Sequence, residues 1–137
     1  MRTAVFPGRF ASLDNIRTFF SEGAKEAGLT DKSQFDIQLA TDEAASNIID
    51  HAYGGEDKGT IECSYKVFDD RLELFLRDSG KPFDPKDVEI PDLTTDVCFR
   101  KPRGLGLHFI RNLMDEVNFS FDESKGNLLK MVKKSNK

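Results

Sequence analysis

A stripe of polar residues lies within the second helix that the sequence predicts, and its residue types could carry chemistry. Successive helical residues turn by about 100°, so Glu43, Asn47 and Asp50 fall within an arc of roughly 60° on one face. Ala44 and Ile48 occupy the neighbouring arc, which places the stripe at the margin of the core. A carboxylate and a carboxamide one turn apart suit Mg²⁺, which binds few protein groups together with substrate phosphates. Taken alone, the stripe also fits a solvated helix edge.

A second motif, RDSGKPFDP, places Asp78 at the end of an alternating strand. Gly80 follows, and a glycine there lets the backbone approach a planar ligand without a side chain in between. An aspartate in this position can accept a hydrogen bond from an exocyclic amine. The same residues also fit a plain turn at the end of a strand.

A third motif, KPRGLGLHF, places Gly104 and Gly106 at the start of a predicted helix. Free N–H groups and the positive end of the helix dipole favour an anion at such a start, as in a phosphate cradle. A short GxG string can equally mark an ordinary loop. Together and in this order, the three motifs predict one site for a metal ion, a planar group that carries an amine, and phosphates.

The periodicities around these motifs predict an α+β fold, with helices on one face of a mixed, mostly antiparallel sheet. Ser12 is the predicted N-cap of the first helix, and Gly28 its C-terminal stop. Residues 79–103 hold four of the five prolines and no sustained period, which is typical of a long functional loop. Strands are predicted at about 2–10, 60–67, 72–76, 117–121 and 128–134, and helices at about 12–27, 33–53 and 104–117.

The bulk composition excludes several classes of protein. A chain of 137 residues predicts a single domain, residues 1–137, and its formal net charge of −4 disfavours nucleic acid as a partner. No apolar run is long enough to cross a membrane, and no secretory signal is evident, so we expect a cytoplasmic location. Cys63 and Cys98 stand alone, without the spacing of metal ligands, and are interpreted as structural thiols.

Taken together, the ExxxN helix, the DxG strand end and the GLGL helix start resemble a known ATP-binding domain. Gyrase-type topoisomerases, heat-shock chaperones, sensor histidine kinases and mismatch-repair proteins share it as the histidine-kinase-like ATPase (GHKL) superfamily. Within that superfamily, DEAASNIIDHAYGG, RDSGKPFDP and RGLGLHFIRNLMDEV look most like bacterial anti-sigma-factor serine/threonine kinases. The resemblance covers nearly the whole chain and implies a Bergerat-type two-layer α/β sandwich that binds Mg-ATP, with an ATP lid at about residues 84–103.

The resemblance also implies roles for individual residues. Glu43 would be the catalytic base, Asn47 would hold Mg²⁺, and Asp78 would recognise adenine. The other residues that it implies for nucleotide binding are Asp50, His51, Gly80, Pro82, Phe83, Arg103, Gly104, Leu105, Gly106 and Leu107. His51 also fits a packing or hydrogen-bonding role near the end of its helix.

Two departures from the sensor histidine kinase pattern bear on function. Pro102 and Arg103 stand where those kinases have a glycine ahead of the GLGL string, so Arg103 is expected to supply charge there. Neither His51 nor His108 resembles an acceptor histidine on a helical hairpin, which disfavours autophosphorylation on histidine.

The function implied by the resemblance is an ATP-dependent serine/threonine protein kinase of the anti-sigma type. Its substrate would be a serine on an anti-anti-sigma (STAS-domain) protein, and it would alternately bind a sigma factor or another regulator. A homodimer is also implied. Two alternatives stay open: a nucleotide-gated binding module without phosphoryl transfer, and a regulatory domain whose motifs no longer bind nucleotide.

Overall fold

A five-stranded sheet forms the centre of the computed structural model, which describes residues 1–81 and 109–135. The strands lie in the order β1-β2-β3-β5-β4, and all four described pairings are antiparallel. Hairpin links join β2 to β3 and β4 to β5, as the alternating segments predict. The strands are β1 (Arg2–Pro7), β2 (Thr60–Val67), β3 (Arg71–Asp78), β4 (Glu116–Asp122) and β5 (Gly126–Lys134).

Helices make up the second layer. A short 3₁₀ turn, Phe10–Ser12, leads into α1 (Leu13–Glu26), and α2 (Asp31–Asn47) follows. The backbone then continues without a break into a π turn, Ile48–Ala52. A further helical stretch, α3, covers residues 109–113. No helix within the described ranges is long and apolar enough to cross a membrane.

The core lies between the helices and one face of the sheet. Every second residue of β3, namely Leu72, Leu74 and Leu76, is fully buried, as period-two alternation requires. Tyr65 of β2 packs so closely on α1 that a Cβ added at Gly23 would lie 2.8 Å from its ring. The predicted α+β sandwich is confirmed, with an all-antiparallel sheet in the described residues.

The starts of the two long helices differ in detail from the prediction. Ser12 is the N-cap residue of α1 as predicted, but it has helical backbone angles and its side chain makes no cap hydrogen bond, because the 3₁₀ turn before it already continues into α1. The second helix begins at Asp31 rather than near residue 33, because Thr30 is extended and its hydroxyl accepts a hydrogen bond from the Ser33 N–H at 3.1 Å. Gly28 ends α1 as predicted, with φ +69°.

A buried ion pair connects three elements away from the predicted motifs. Lys133 of β5 lies 3.1 Å from the Asp36 carboxylate of α2 and also donates to the Leu113 carbonyl at the end of α3. Lys32 donates to the same Asp36 oxygen from an exposed position. Burial raises the pKa of Asp36, but the hydrogen bonds from both lysines outweigh it, and the net pKa is lowered.

We expect Lys133→Met to lower the free energy of unfolding by about 3 kcal/mol, because the exposed Lys32 alone compensates the buried Asp36 charge poorly. That loss corresponds to a decrease of about 10 °C in Tm, measurable by calorimetry. Lys134→Met, at the exposed neighbouring position, is the matched control and should leave Tm within about 1 °C. Adding Asp36→Asn to Lys133→Met should recover part of the loss, and no recovery would contradict the ion-pair explanation.

Candidate active site

A cleft opens between the end of α2 and the sheet. The π turn that follows α2 forms one wall, and the facing ends of β3, β4 and β5 form the other. The described residues that line it are Ala44, Asn47, Ile48, His51, Ala52, Asp78, Ile110, Phe119, Ser120, Asn127, Leu128 and Leu129. The walls are therefore mainly apolar, with a few polar side chains among them, as is usual for a small-molecule site.

The polar stripe runs along the end of α2 and into the π turn beside this cleft, and its side chains have no partner in the part of the chain that the structure describes. Asn47 and His51 line the cleft, whereas Glu43 lies one turn before Asn47 and Asp50 is exposed. None of these four side chains makes a hydrogen bond or ion pair within residues 1–81 and 109–135. Asp42, on the other flank of the helix, pairs instead with Arg17 of α1 at 3.4 Å. Asp42 is thus held by an ion pair with a neighbouring helix, whereas the side chains of the stripe form no such pair within the described residues.

Glu43 is half-buried, and its environment favours the protonated form. Burial raises the pKa of Glu43 most, and the negative charges of Asp42 and Asp50 raise it further. A carboxylate with a raised pKa is a stronger base than an ordinary surface glutamate. Desolvation and like charge are also the two effects that commonly shift the pKa of catalytic carboxylates.

Asp78 is the last residue of β3 and continues the buried face of that strand. It is in phase with Leu72, Leu74 and Leu76 and is only 6% exposed. Its Oδ1 accepts hydrogen bonds from Asn127 Nδ2 and from the Gly80 N–H, both at 2.9 Å. Its Oδ2 accepts none from the described part of the chain. Burial raises the pKa of Asp78, and the bonds from Asn127 and Gly80 partly oppose that rise.

Gly80 allows the turn after β3 to lie against the end of the α2 segment. A Cβ added at Gly80 would lie 2.5 Å from the Ala52 carbonyl oxygen, which is closer than any side chain could be. The Lys81 N–H donates to that same carbonyl at 2.7 Å. The close approach predicted for Gly80 is therefore to the chain's own backbone, and it brings Asp78 and Asn47 to one cleft.

Sequence reasoning missed two further residues of the site. Asn127 falls in the turn between the strands predicted at about 117–121 and 128–134, but β5 begins at Gly126 and pairs Asn127 directly with Asp78. Tyr53, just after the π turn, donates to the Thr60 carbonyl at 2.6 Å and accepts from the Ser79 N–H at 3.0 Å. Asn127 could have been found from its phase with Leu129 and Met131, because a polar residue on a buried face needs a partner.

The donor set fits a magnesium ion better than a metal held by protein alone. Within the described ranges, no three His, Cys, Asp or Glu side chains cluster to hold a metal. Mg²⁺ typically takes one or two protein ligands and completes its shell with water and phosphate oxygens. Asn47 lines the cleft, and its carboxamide, which has no partner among residues 1–81 and 109–135, fits such a partial ligand set.

The remaining predicted site residues cannot be placed. Pro82, Phe83, Arg103, Gly104, Leu105, Gly106 and Leu107 lie outside the described residues, as do the predicted lid, His108 and Cys98. The other cysteine, Cys63, is fully buried, and burial raises the pKa of its thiol to about 12, as a structural thiol requires.

Comparison with known proteins identifies the family. The family model for the histidine kinase-like ATPase domain matches residues 6–133. A serine-protein kinase RsbW from Listeria monocytogenes is 34% identical over 104 residues, which are 73% of this chain and 66% of that protein. The RsbW of Halalkalibacterium halodurans is 32% identical over 131 residues, covering 93% of this chain and 78% of the relative. The chain thus spans just under two-thirds of the Listeria protein's length.

Solved structures agree on the fold. The catalytic domain of histidine kinase ThkA, in a nucleotide-free form, aligns over 98% of both chains with a TM-score of 0.57 at 14% identity. The histidine kinase domain of a blue-light-activated kinase from Erythrobacter litoralis aligns over 93% of this chain and 60% of its own, with a TM-score of 0.55 at 17% identity. The chain belongs to the histidine kinase-like ATPase domain family, and within that family it groups with the serine-protein kinases named RsbW.

Proposed function

We propose that the chain is an ATP-dependent protein serine/threonine kinase that acts as an anti-sigma-type regulator. One observation carries the proposal: Asp78 and Asn47 line the same cleft, and each presents a polar group without a partner in the described residues. Asp78 Oδ2 can only accept a hydrogen bond when ionised, so it suits the amine of adenine. The activity in the name of the relatives, serine-protein kinase, supports protein serine as the phosphate acceptor.

The half-buried Glu43 takes the role of base in this proposal. Glu43 would accept the serine hydroxyl proton as the serine oxygen bonds to the γ-phosphorus and the bond from that phosphorus to ADP breaks. Asn47 would hold Mg²⁺ through its carboxamide oxygen, one turn along the same helix face. When bound, the metal would offset negative charge on the phosphates. His51 would contact the nucleotide from the cleft wall, with Asp50 near the mouth.

Residues that the structure does not describe complete the proposed site. Arg103, Gly104 and Gly106 would bind the phosphates, Leu105 and Leu107 would also contribute to nucleotide binding, and residues 84–103 would form the ATP lid. Pro82 and Phe83, which follow Asp78 in the sequence, would also contribute to nucleotide binding. All of these assignments stand on the sequence motifs and on the family.

The proposed protein substrate is an anti-anti-sigma (STAS-type) protein, and the second partner is a sigma factor or a comparable regulator. A phosphate adds about −1.5 to −2 charges to the serine. Because this chain has a formal net charge of −4, repulsion would favour release of the phosphorylated partner. Partner exchange would then follow ATP turnover in the cytoplasm.

A phosphotransfer assay tests the proposal. The purified chain is incubated with γ-labelled ATP, Mg²⁺ and a purified STAS-domain protein, and label on the partner is mapped by mass spectrometry. The expected result is one labelled serine, and no label when Mg²⁺ is chelated. ATP binding without labelled serine across several STAS partners would instead support the nucleotide-gated binding module. Absence of any ATP-dependent rise in Tm would overturn nucleotide binding itself.

A further inference from the structure

We infer that Asn127 and Tyr53 are positioning residues for base recognition, which clamp the turn from Asp78 to Lys81 so that one Asp78 oxygen faces the base. The inference rests on the proposed function, in which Asp78 recognises a purine amine. Asn127 lies outside the motifs that predicted the site, and Tyr53 lies within DEAASNIIDHAYGG, where no role was assigned to it. Each residue contacts a different part of the turn.

Asn127 holds the turn from the sheet side. Its Nδ2 donates to Asp78 Oδ1 at 2.9 Å and to the Lys81 carbonyl at 2.9 Å, and it lies 3.5 Å from the Gly80 carbonyl. All three neighbours are acceptors, so the amide must present its NH₂ group to the turn. An aspartate at position 127 would repel Asp78. An aliphatic residue there would leave Asp78 Oδ1 with the Gly80 N–H alone and would remove the Asn127 donor from the Lys81 carbonyl.

Tyr53 holds the same turn from the helix side. Its hydroxyl accepts from the Ser79 N–H and donates to the Thr60 carbonyl, so both sides of the hydroxyl are used. The ring lies directly on Gly59, where an added Cβ would come within 2.4 Å of it. The absence of a side chain at Gly59 therefore leaves room for the Tyr53 ring, and the Tyr53 hydroxyl in turn holds the Ser79 N–H.

These bonds determine which atom of Asp78 is left for a ligand. Oδ1 is occupied twice, by Asn127 and by the Gly80 N–H, whereas Oδ2 has no partner within the described residues. A base with an exocyclic amine can donate to Oδ2, but a base with a carbonyl at that position would oppose acceptor to acceptor. Asn127 thereby sets the preference for an amine, because without it the carboxylate can rotate about its χ2 torsion.

The test compares ATP with inosine triphosphate, which carries a carbonyl in place of the adenine amine, by calorimetric titration in Mg²⁺. Asn127→Leu should weaken ATP binding about tenfold and change inosine triphosphate binding less than twofold. Tyr53→Phe, which removes one hydroxyl and keeps the ring, should lower the ATP preference about threefold. Asn127→Ser restores one donor and should fall between Asn127→Leu and the unmodified protein. Asn118→Leu is the matched control on exposed β4 and should leave both affinities unchanged.

The outcomes separate the inference from the function on which it rests. If the unmodified protein binds ATP no more tightly than inosine triphosphate, base recognition by Asp78 fails, and the inference fails with it. If the unmodified protein discriminates but folded Asn127→Leu keeps the same ratio, or loses both nucleotides equally, the function stands and the positioning role is overturned. Should Asn127→Leu not fold, the ratio for Tyr53→Phe decides in the same way.

Discussion

Replacing Glu43 by glutamine is expected to lower the rate of serine phosphorylation by a factor of about 10² to 10⁴, the usual contribution of a positioned base. Glutamine keeps the size and one oxygen of the side chain but cannot take the hydroxyl proton. The ATP dissociation constant should change by less than about threefold, because Glu43 is not among the described residues that line the cleft. The measurement is kcat for labelled serine beside calorimetric ATP affinity.

Glu26→Gln provides the control for this change. It removes one carboxylate at the exposed end of α1, where no hydrogen bond or ion pair involves Glu26 in the described residues. Its kcat should match that of the unmodified protein. A Glu43→Gln enzyme with full activity would remove Glu43 from the proposed role, whereas equal losses in ATP affinity and kcat would assign it to binding instead.

The pH profile gives a second readout for Glu43. Its folded pKa is raised above the ordinary value of 4.5 by burial and by the charges of Asp42 and Asp50. A base acts only when deprotonated, so the rate should fall as pH decreases through this raised pKa, and therefore at a higher pH than an ordinary carboxyl would give. The acid limb of the profile should be absent from the residual activity of Glu43→Gln.

The sequence predicted the elements that have a strong local signal. Alternation located β2 and β3, and because Asp78 continues the phase of three buried leucines, period two predicts that it shares the buried face of β3. The stripe on α2 was also found, since helical periodicity fixes which residues share a face. Local periodicity therefore located Asn47 and Asp78, the residues proposed to contact the metal ion and the adenine.

The contacts that hold these residues depend on distant parts of the chain. In the π turn, the Tyr53 N–H donates a hydrogen bond to the Ile48 carbonyl. The Ala52 carbonyl of the same turn accepts from the turn after β3. The sequence of the helix alone does not predict this contact. The alternating pattern of the last strand was recognised only from Leu128, which left Asn127 in the turn before it. Gly126, with φ +84°, is instead the first residue of β5 and approaches the Asp78 carbonyl closely. The role of Asn127 depends on the register between β3 and β5, and strand register is a tertiary property.

Replacing Asp78 by asparagine is expected to weaken ATP binding and to stabilise the nucleotide-free protein. Loss of a hydrogen bond to a charged acceptor costs about 1.5 to 3 kcal/mol, which corresponds to a loss of about 10- to 150-fold in ATP affinity. Asparagine can keep an oxygen toward Asn127 and Gly80, and it then presents NH₂ where Oδ2 was. The preference should reverse toward inosine triphosphate, whose carbonyl can accept from that group.

The stability effect follows from the sign of the pKa shift. Burial raises the folded pKa of Asp78 above its ordinary value of 3.8, more than the bonds from Asn127 and Gly80 lower it. Its contribution to stability is therefore fully present below the ordinary pKa and is lost as pH rises through the raised folded pKa. Asparagine does not ionise, so Asp78→Asn should have a higher Tm than the unmodified protein at pH 7, and the difference should vanish near pH 3.5.

Asp122→Asn is the control of opposite sign. The Ser124 hydroxyl and backbone N–H lower the pKa of Asp122, so its ionised form favours the fold, and neutralising it should lower Tm at pH 7. Tm is measured against pH for the unmodified protein, Asp78→Asn and Asp122→Asn, and the two variants should shift Tm at pH 7 in opposite directions. If Asp78→Asn were destabilised at pH 7, the ionised carboxylate would be part of what holds the fold. The expected gain in Tm instead means that the charge of Asp78 destabilises the nucleotide-free protein and stabilises bound ATP, as trade-offs between stability and function predict.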